Sequence, residues 1–188
     1  MGLAMRPSAP ALSAVAREMK AQKPELIRLW SNWVTSRINT DPRSKRPDIE
    51  RELGLLVDIL VETAGPLRRQ VAELWLEACE FHGVAAAKRG LAAGEVVDEL
   101  QHLRELLIRN LSAVLAALPS RQSMATIIRL NRFVDKGITR VVVGYTDALV
   151  QTLLIENGVA AKEEPGVDEI SQQLEAFEKE LAQIREGG

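Results

Sequence analysis

GEVVDELQHLRELLIRNLSAVLAAL, residues 94–118, carries the strongest periodic signal in the chain. Val96, Leu100, Leu103, Leu107, Leu111, Val114 and Leu118 recur at steps of 4, 3, 4, 4, 3 and 4. At about 100° per residue these seven fall within a sector of roughly 80°, which makes the stretch one amphipathic helix with one buried side. No alternating strand pattern competes with it elsewhere, and the helical period recurs almost throughout. The expected fold class is all-α, a bundle of about six helices.

Downstream, Pro119-Ser120 ends this helix and a longer one is expected over about 123–156. It carries Ile127, Leu130, Val134, Val141, Tyr145 and Ala148 on one side. Gly137 and Gly144 lie on that side too, although glycine within a helix costs ~0.5–1 kcal/mol relative to alanine. Gly137, Val141, Gly144 and Ala148 therefore form a candidate seam, where another helix or a second copy of the chain approaches closely. Residues 157–166 are polar with Pro and Gly, and read as a hinge. The segment 167–188 places Val167, Ile170, Leu174, Phe177, Leu181 and Ile184 at steps of 3, 4, 3, 4 and 3. That a/d spacing predicts an amphipathic linker helix forming a coiled coil. The alternative is a single helix folded back on the domain, because the stripe shows that one side wants burial and not which partner buries it.

Upstream, residues 1–11 read as a flexible N-terminus and the helical domain as 12–156. A first helix is expected over about 12–22 and a second from Pro24, placed as a helix N1 proline, to about Ile38. Leu26, Trp30, Trp33 and Val34 share its inner face. Pro42 and Pro47 confine 39–47 to a loop, and Asp48 is placed to cap a helix running to about residue 63, with Ile49, Leu53, Leu56 and Leu60 inward. Gly65-Pro66 breaks the chain before a helix over about 67–89, which Gly90 ends.

That last helix holds the only cysteine, Cys79, and one of two histidines, His82. With Val71 at 0°, His82 falls at about 20° in the middle of the apolar face, and Cys79 at about 80° on its edge. A core-facing imidazole needs a hydrogen-bonding partner. It is a structural histidine, a pocket-lining sensor or a ligand to haem or metal. The candidate pocket is His82, Cys79, Trp75 and Tyr145. Glu99 and His102 form a single E-x-x-H, which di-iron bundles use twice. At about 260° and 200° from Leu100, both are expected on the outer face, so no metal site is expected.

The chain has 188 residues, 46% of them apolar and 4% aromatic, and a net charge of −2. That suits a helical core of aliphatic residues, and gives no general attraction to nucleic acid or an anionic membrane. One cysteine cannot form an internal disulfide. No signal-peptide h-region and no apolar run of ~18–20 residues is evident, and Arg6 breaks the myristoylation pattern, so a cytoplasmic protein is expected. No G-x-S-x-G, P-loop or HExxH motif occurs, and no nucleophile–base–orienter set can be assembled, so no enzyme is expected. The basic loop Arg43–Arg46 reads as a solvated loop.

Three segments together resemble the RsbRD N-terminal domain family. They are ELIRLWSNWVTSRI (25–38), EFHGVAAAKRGLAAGEVVDELQHLRELLIRNL (80–111) and RLNRFVDKGITRVVVGYTDAL (129–149). The likeness spans roughly residues 12–156, and His82 matches its recurrent His-Gly. It implies a globin-like fold without haem, dimerisation through helices and a C-terminal linker that passes a signal to a kinase or STAS-type protein. Members often continue into such a domain, whereas this chain stops at Gly188, which implies an excised sensory module or a stand-alone regulator. The family supplies no agreed catalytic residues. The leading expectation is a homodimeric sensory module without cofactor, and the alternatives are a ligand-free interaction scaffold and a haem-binding sensor. A pocket beside His82 favours sensing, and a filled core favours the scaffold.

Overall fold

Apolar stripes at helical spacing can be buried only against one another, and the chain does so with seven α-helices and no strand among the described residues. The computed structural model describes residues 6–37, 46–159 and 167–187. Residues 1–5, Arg43–Lys45 and most of the expected hinge fall outside them.

The first helix, α1, spans Ala9–Thr35, and Ser8 caps it by accepting a hydrogen bond from the Ala11 N–H. It begins within the segment expected to be flexible. It is also one helix where two were expected, with Pro24 inside it. Burial overrides the breaker here: Ala11, Val15 and Met19 before Pro24 continue in phase into Leu26, Trp30 and Val34 after it. The ring of Pro24 itself faces solvent.

The second helix, α2, spans Arg46–Ala64, with Pro47 and Asp48 both in its first turn. Pro47 is thus helical rather than in a loop, as the missing N–H of a first-turn proline allows. A short 3-10 turn, Pro66–Arg69, leads into α3, Val71–Lys88. Gly90, at φ +75°, ends α3, and its neighbour Leu91 donates back to the Ala86 carbonyl at 3.3 Å. The stretch 94–118 forms α4, Ala93–Asn110, and a six-residue α5, Ser112–Ala117, separated by a turn at Leu111. The 37-residue α6, Ser120–Glu156, is the longest element, and α7 spans Val167–Gly187.

The core is continuous through α1, α2, α3, α4 and α6. The α3–α6 contact is the tightest. A Cβ placed on Gly83 would lie 2.0 Å from the Val141 carbonyl oxygen, and one on Gly144 would lie 1.9 Å from that of Glu80. Each helix therefore presents a glycine to the other's backbone, the approach at which Cα–H groups meet carbonyls. The helix that meets the Gly137/Gly144 face is α3 of the same chain.

The a/d stripe of α7 is covered by the chain's own α2 and α3. Leu174, Phe177 and Leu181 are buried, Ile170 and Ile184 are partly buried, and Phe177 meets Phe81 edge to face at 5.8 Å. The expected coiled coil with a partner is replaced by the folded-back helix, because α2 and α3 offer an apolar shelf within reach. Val167 opens α7, and its side chain is outside the described residues. At the rim, Arg51 grips Glu178 through two bonds of 2.7 and 2.8 Å, and Arg185 pairs with Glu62 at 2.7 Å.

A buried four-charge cluster as the candidate functional site

The sequence places His82 in the middle of α3's apolar face, and there it is fully buried. Three further ionisable side chains meet it. Glu52 comes from α2, Glu99 from α4 and Arg89 from the end of α3, and all are buried. His82 Nδ1 is bonded to Glu52 Oε1. His82 Nε2 lies 2.9 Å from Glu99 Oε2. Arg89 Nη1 donates to Glu52 Oε2 at 2.8 Å, and its Nη2 lies 3.6 Å from Glu99 Oε2. The ring of Trp30, on α1, packs 6.0 Å from the imidazole.

With both carboxylates ionised and the imidazole protonated, the four charges sum to zero, which makes such a cluster tolerable inside a protein. Burial alone would lower the His82 pKa, but Glu52 and then Glu99 outweigh it and raise it to about 9. Burial likewise pushes the Glu52 carboxyl up, yet Arg89 and His82 hold it below its ordinary value. His82 is therefore an imidazolium at neutral pH, donating rather than accepting.

The two carboxylates are not equivalent. Glu52 is bonded to both cations, whereas Glu99 meets His82 at ion-pair distance without the alignment of a hydrogen bond. Distance and alignment disagree for this contact. The contact is an ion pair, since charge attraction survives misalignment and hydrogen-bond strength does not. Both Glu99 oxygens, Arg89 Nε and Nη2, and Trp30 Nε1 lack a hydrogen-bond partner among the described residues.

The four residues expected to share a pocket do not gather in one. His82 turns toward α2 and α4. Trp75 and Cys79 turn toward α6, where a Cβ on Gly137 would lie 2.8 Å from the Trp75 ring and 2.9 Å from Cys79 Sγ. The indole Nε1 of Trp75 donates to the Phe133 carbonyl at 2.9 Å. Tyr145 donates its hydroxyl to the Leu91 carbonyl at 2.8 Å, tying α6 to the α3–α4 turn. Ala148, the last seam residue, is half-buried. Burial pushes the Cys79 thiol well above its usual value, so it is no thiolate nucleophile.

Glu99 is a correction. It is buried rather than on the outer face, because α4 lies between α1 and α6 and its buried side extends beyond the Leu100 stripe to include Leu106. His102 is half-buried, stacked on Trp33 at 4.8 Å, with the Arg37 guanidinium over the Trp33 ring at 3.9 Å. Burial lowers the His102 pKa. Glu52, Arg89 and Glu99 were missed as partners of His82, although Arg89 is seven residues on and in phase with it, and Glu52 sits in phase between Ile49 and Leu56. Among the described residues no group of three His, Cys, Asp or Glu side chains has metal-holding geometry.

One helix, α6, is long and apolar enough by length and composition to cross a membrane, although no such span was expected. Its stretch carries Arg140, paired with Glu80 at 3.2 Å, and one flank is the glycine contact with α3. No protein-family model, curated protein or solved structure matches the chain.

Proposed function

We propose that this chain is a non-catalytic sensory or regulatory module of signal transduction, acting as a homodimer whose helical body governs α7. The observation that carries the reading is that α7 has one apolar stripe and two ways to bury it. Leu174, Phe177 and Leu181 dock on α2 and α3. The same residues at the same spacing would form a two-chain coiled coil. Only one partner can be satisfied at a time, so a ligand that favours one arrangement of the body shifts α7 between them.

A homodimer is supported by the distal half of α6. Beyond Tyr145 no residue of α6 is buried, and Val142, Val143, Leu149, Val150, Leu153 and Leu154 are exposed, Leu153 to 56%. With Ile155 and Val159 they offer on the order of 600 Å² of exposed apolar side chain, close to the ~800 Å² each partner gives to a stable interface. The resemblance to the RsbRD N-terminal family supports a globin-like arrangement, a cytoplasmic setting, and a kinase or STAS-type protein as the receiver of α7. We read α6 as a helix of the body rather than a membrane span. A haem is not part of the proposal: both nitrogens of His82 face carboxylates, and an imidazolium has no lone pair to give.

The second reading, an interaction scaffold without ligand, is favoured by the burial of His82 against two carboxylates that already satisfy its charge. Light scattering at micromolar concentration tests the dimer. The expected result is a mass twice that of the chain, reduced to one chain by Leu149→Asp with Leu153→Asp. A monomeric wild type overturns it.

A further inference from the structure

A groove of about 700 Å³ that shares no residue with the charge cluster lies between Arg6 and Pro7, the 3-10 turn and α6. Six cationic side chains line it: Arg6, Arg68, Arg69, Arg129, Arg132 and Lys136. No carboxylate does. Composition does not explain this, since acidic residues outnumber basic ones and the net charge is −2. Several arginines elsewhere are answered by acids, as Arg28 is by Glu25, Arg104 by Asp135 and Arg140 by Glu80. The six in the groove form no ion pair among the described residues. Arg129 makes one hydrogen bond, to the Thr63 carbonyl at 3.0 Å. Burial chiefly, and then the charge of Arg68, lowers its pKa.

The groove is a consequence of element geometry. Ala125, Arg129, Arg132 and Lys136 recur at steps of 4, 3 and 4 along one face of α6. The opposite wall is the 3-10 turn, which Pro66 starts and in which Arg68 and Arg69 are adjacent. Arg6 and Pro7 close one side, anchored where the Ser8 N–H donates to Gln122 Oε1 at 2.6 Å. Ala72, Ile128 and Phe133 supply an apolar floor.

We propose that this groove binds a soluble small molecule bearing two or three linked phosphates and an aromatic moiety, a compound of the nucleoside polyphosphate class. Guanidinium forks match phosphate oxygens, and several on facing walls match a chain of phosphates better than a single one. The apolar floor, with the Phe133 ring, suits a base. The volume lies within the range of small-ligand pockets, ~300–1,000 Å³. With no carboxylate in the lining there is nothing to hold a magnesium ion, so the arginines themselves neutralise the phosphates and magnesium competes with them. The role of this ligand as the module's input rests on the function proposed above, whereas its binding chemistry does not.

Calorimetric titration of the full chain tests the site, using ATP in the presence of EDTA, inorganic triphosphate and inorganic phosphate. ATP and triphosphate are expected to bind, and phosphate about tenfold more weakly or less. Excess magnesium is expected to weaken ATP binding. Arg69→Ser with Arg132→Ser removes one exposed, unpaired cation from each wall. This variant is expected to keep the wild-type melting curve and to lose about 100-fold in affinity. The proposal is overturned if ATP binds no more tightly than phosphate, if magnesium is required, or if the double variant binds ATP as wild type does. It is also overturned if duplex DNA or phosphatidylserine vesicles bind through these arginines more tightly than ATP. Any of these results removes the proposed ligand class from the groove and leaves the dimer measurement unaffected.

Discussion

His82 holds its place by being charged. Replacing it with alanine leaves Glu52 and Glu99 facing each other inside the protein with only Arg89 between them. Removing one partner from a buried ionic group typically costs about 3–5 kcal/mol, so His82→Ala is expected to lower the unfolding free energy measured by urea titration by about that much, or to prevent folding. The pH dependence has a definite sign. An unfolded histidine releases its proton near pH 6.5, and the folded one holds it to about 9. The stabilisation from the cluster is therefore complete below about pH 6.5 and declines as pH rises through 9. Urea titrations across pH 6–10 should show this decline, and an unchanged midpoint would contradict the buried imidazolium. Glu52 acts oppositely: its lowered carboxyl contributes stability that is lost at acid pH. Haemin titration of wild type is expected to give no Soret shift. A shift abolished by His82→Ala would restore the ligand reading. The helical phase of His82 was legible in the sequence, because Val71, Leu74, Trp75 and Ala78 define one face around it. Its partners were not, since charged residues are ordinarily assigned to solvent even where, as at Arg89 and Glu52, they fall in phase with an apolar face.

At the level of elements, the helical period of the apolar residues located nearly every helix, and the errors fall where packing outweighs a local signal. Pro24 reads as a helix start, yet α1 runs through it because Met19 and Leu26 must both reach the core. The proline remains a cost: it lacks the N–H that would bond the Lys20 carbonyl, and its ring crowds that group. Because the ring is exposed, Pro24→Ala removes no packing. Thermal denaturation is expected to show a gain of about 1–3 kcal/mol, against ~3 kcal/mol for an interior proline. The last helix failed in a different way. Its stripe was visible, but a period cannot say whether the covering surface belongs to the same chain. Phe177→Asp is expected to free α7 from α2 and α3, and rapid proteolysis within 167–187 would report it. Equal protection in wild type and variant would place the docking energy elsewhere.

Across the whole molecule the charges are sorted by depth and by side. Four balance in the interior, pairs of opposite sign fasten α7 at the rim, and six of one sign gather beside α6. None of this shows in a net charge of −2, because it is created by the order in which helices are brought together. The all-helical class was legible from the 94–118 stripe. The groove was not, since its walls come from residues about 60 apart in the chain. Salt should separate two of these groups: the rim pairs weaken with ionic strength, and the buried cluster is little affected.

The reciprocal glycines of α3 and α6 have a mechanical consequence. Two smooth helices can slide or roll, but here each backbone is seated against the other at Gly83 and Gly144, and any change of rotation would drive side chains into carbonyls. Both methyl substitutions, Gly83→Ala and Gly144→Ala, are expected to cost about 3 kcal/mol or more, beyond ordinary overpacking. Gly94→Ala, with nothing within 4 Å, should be close to neutral. The pair α3–α6 thus behaves as a single stiff beam. Strain applied at the cationic end of α6 cannot be absorbed by shear along that joint. On the function proposed above it would be passed on as a tilt of the whole beam, and the attachment of α7 to α2 and α3 is what would yield.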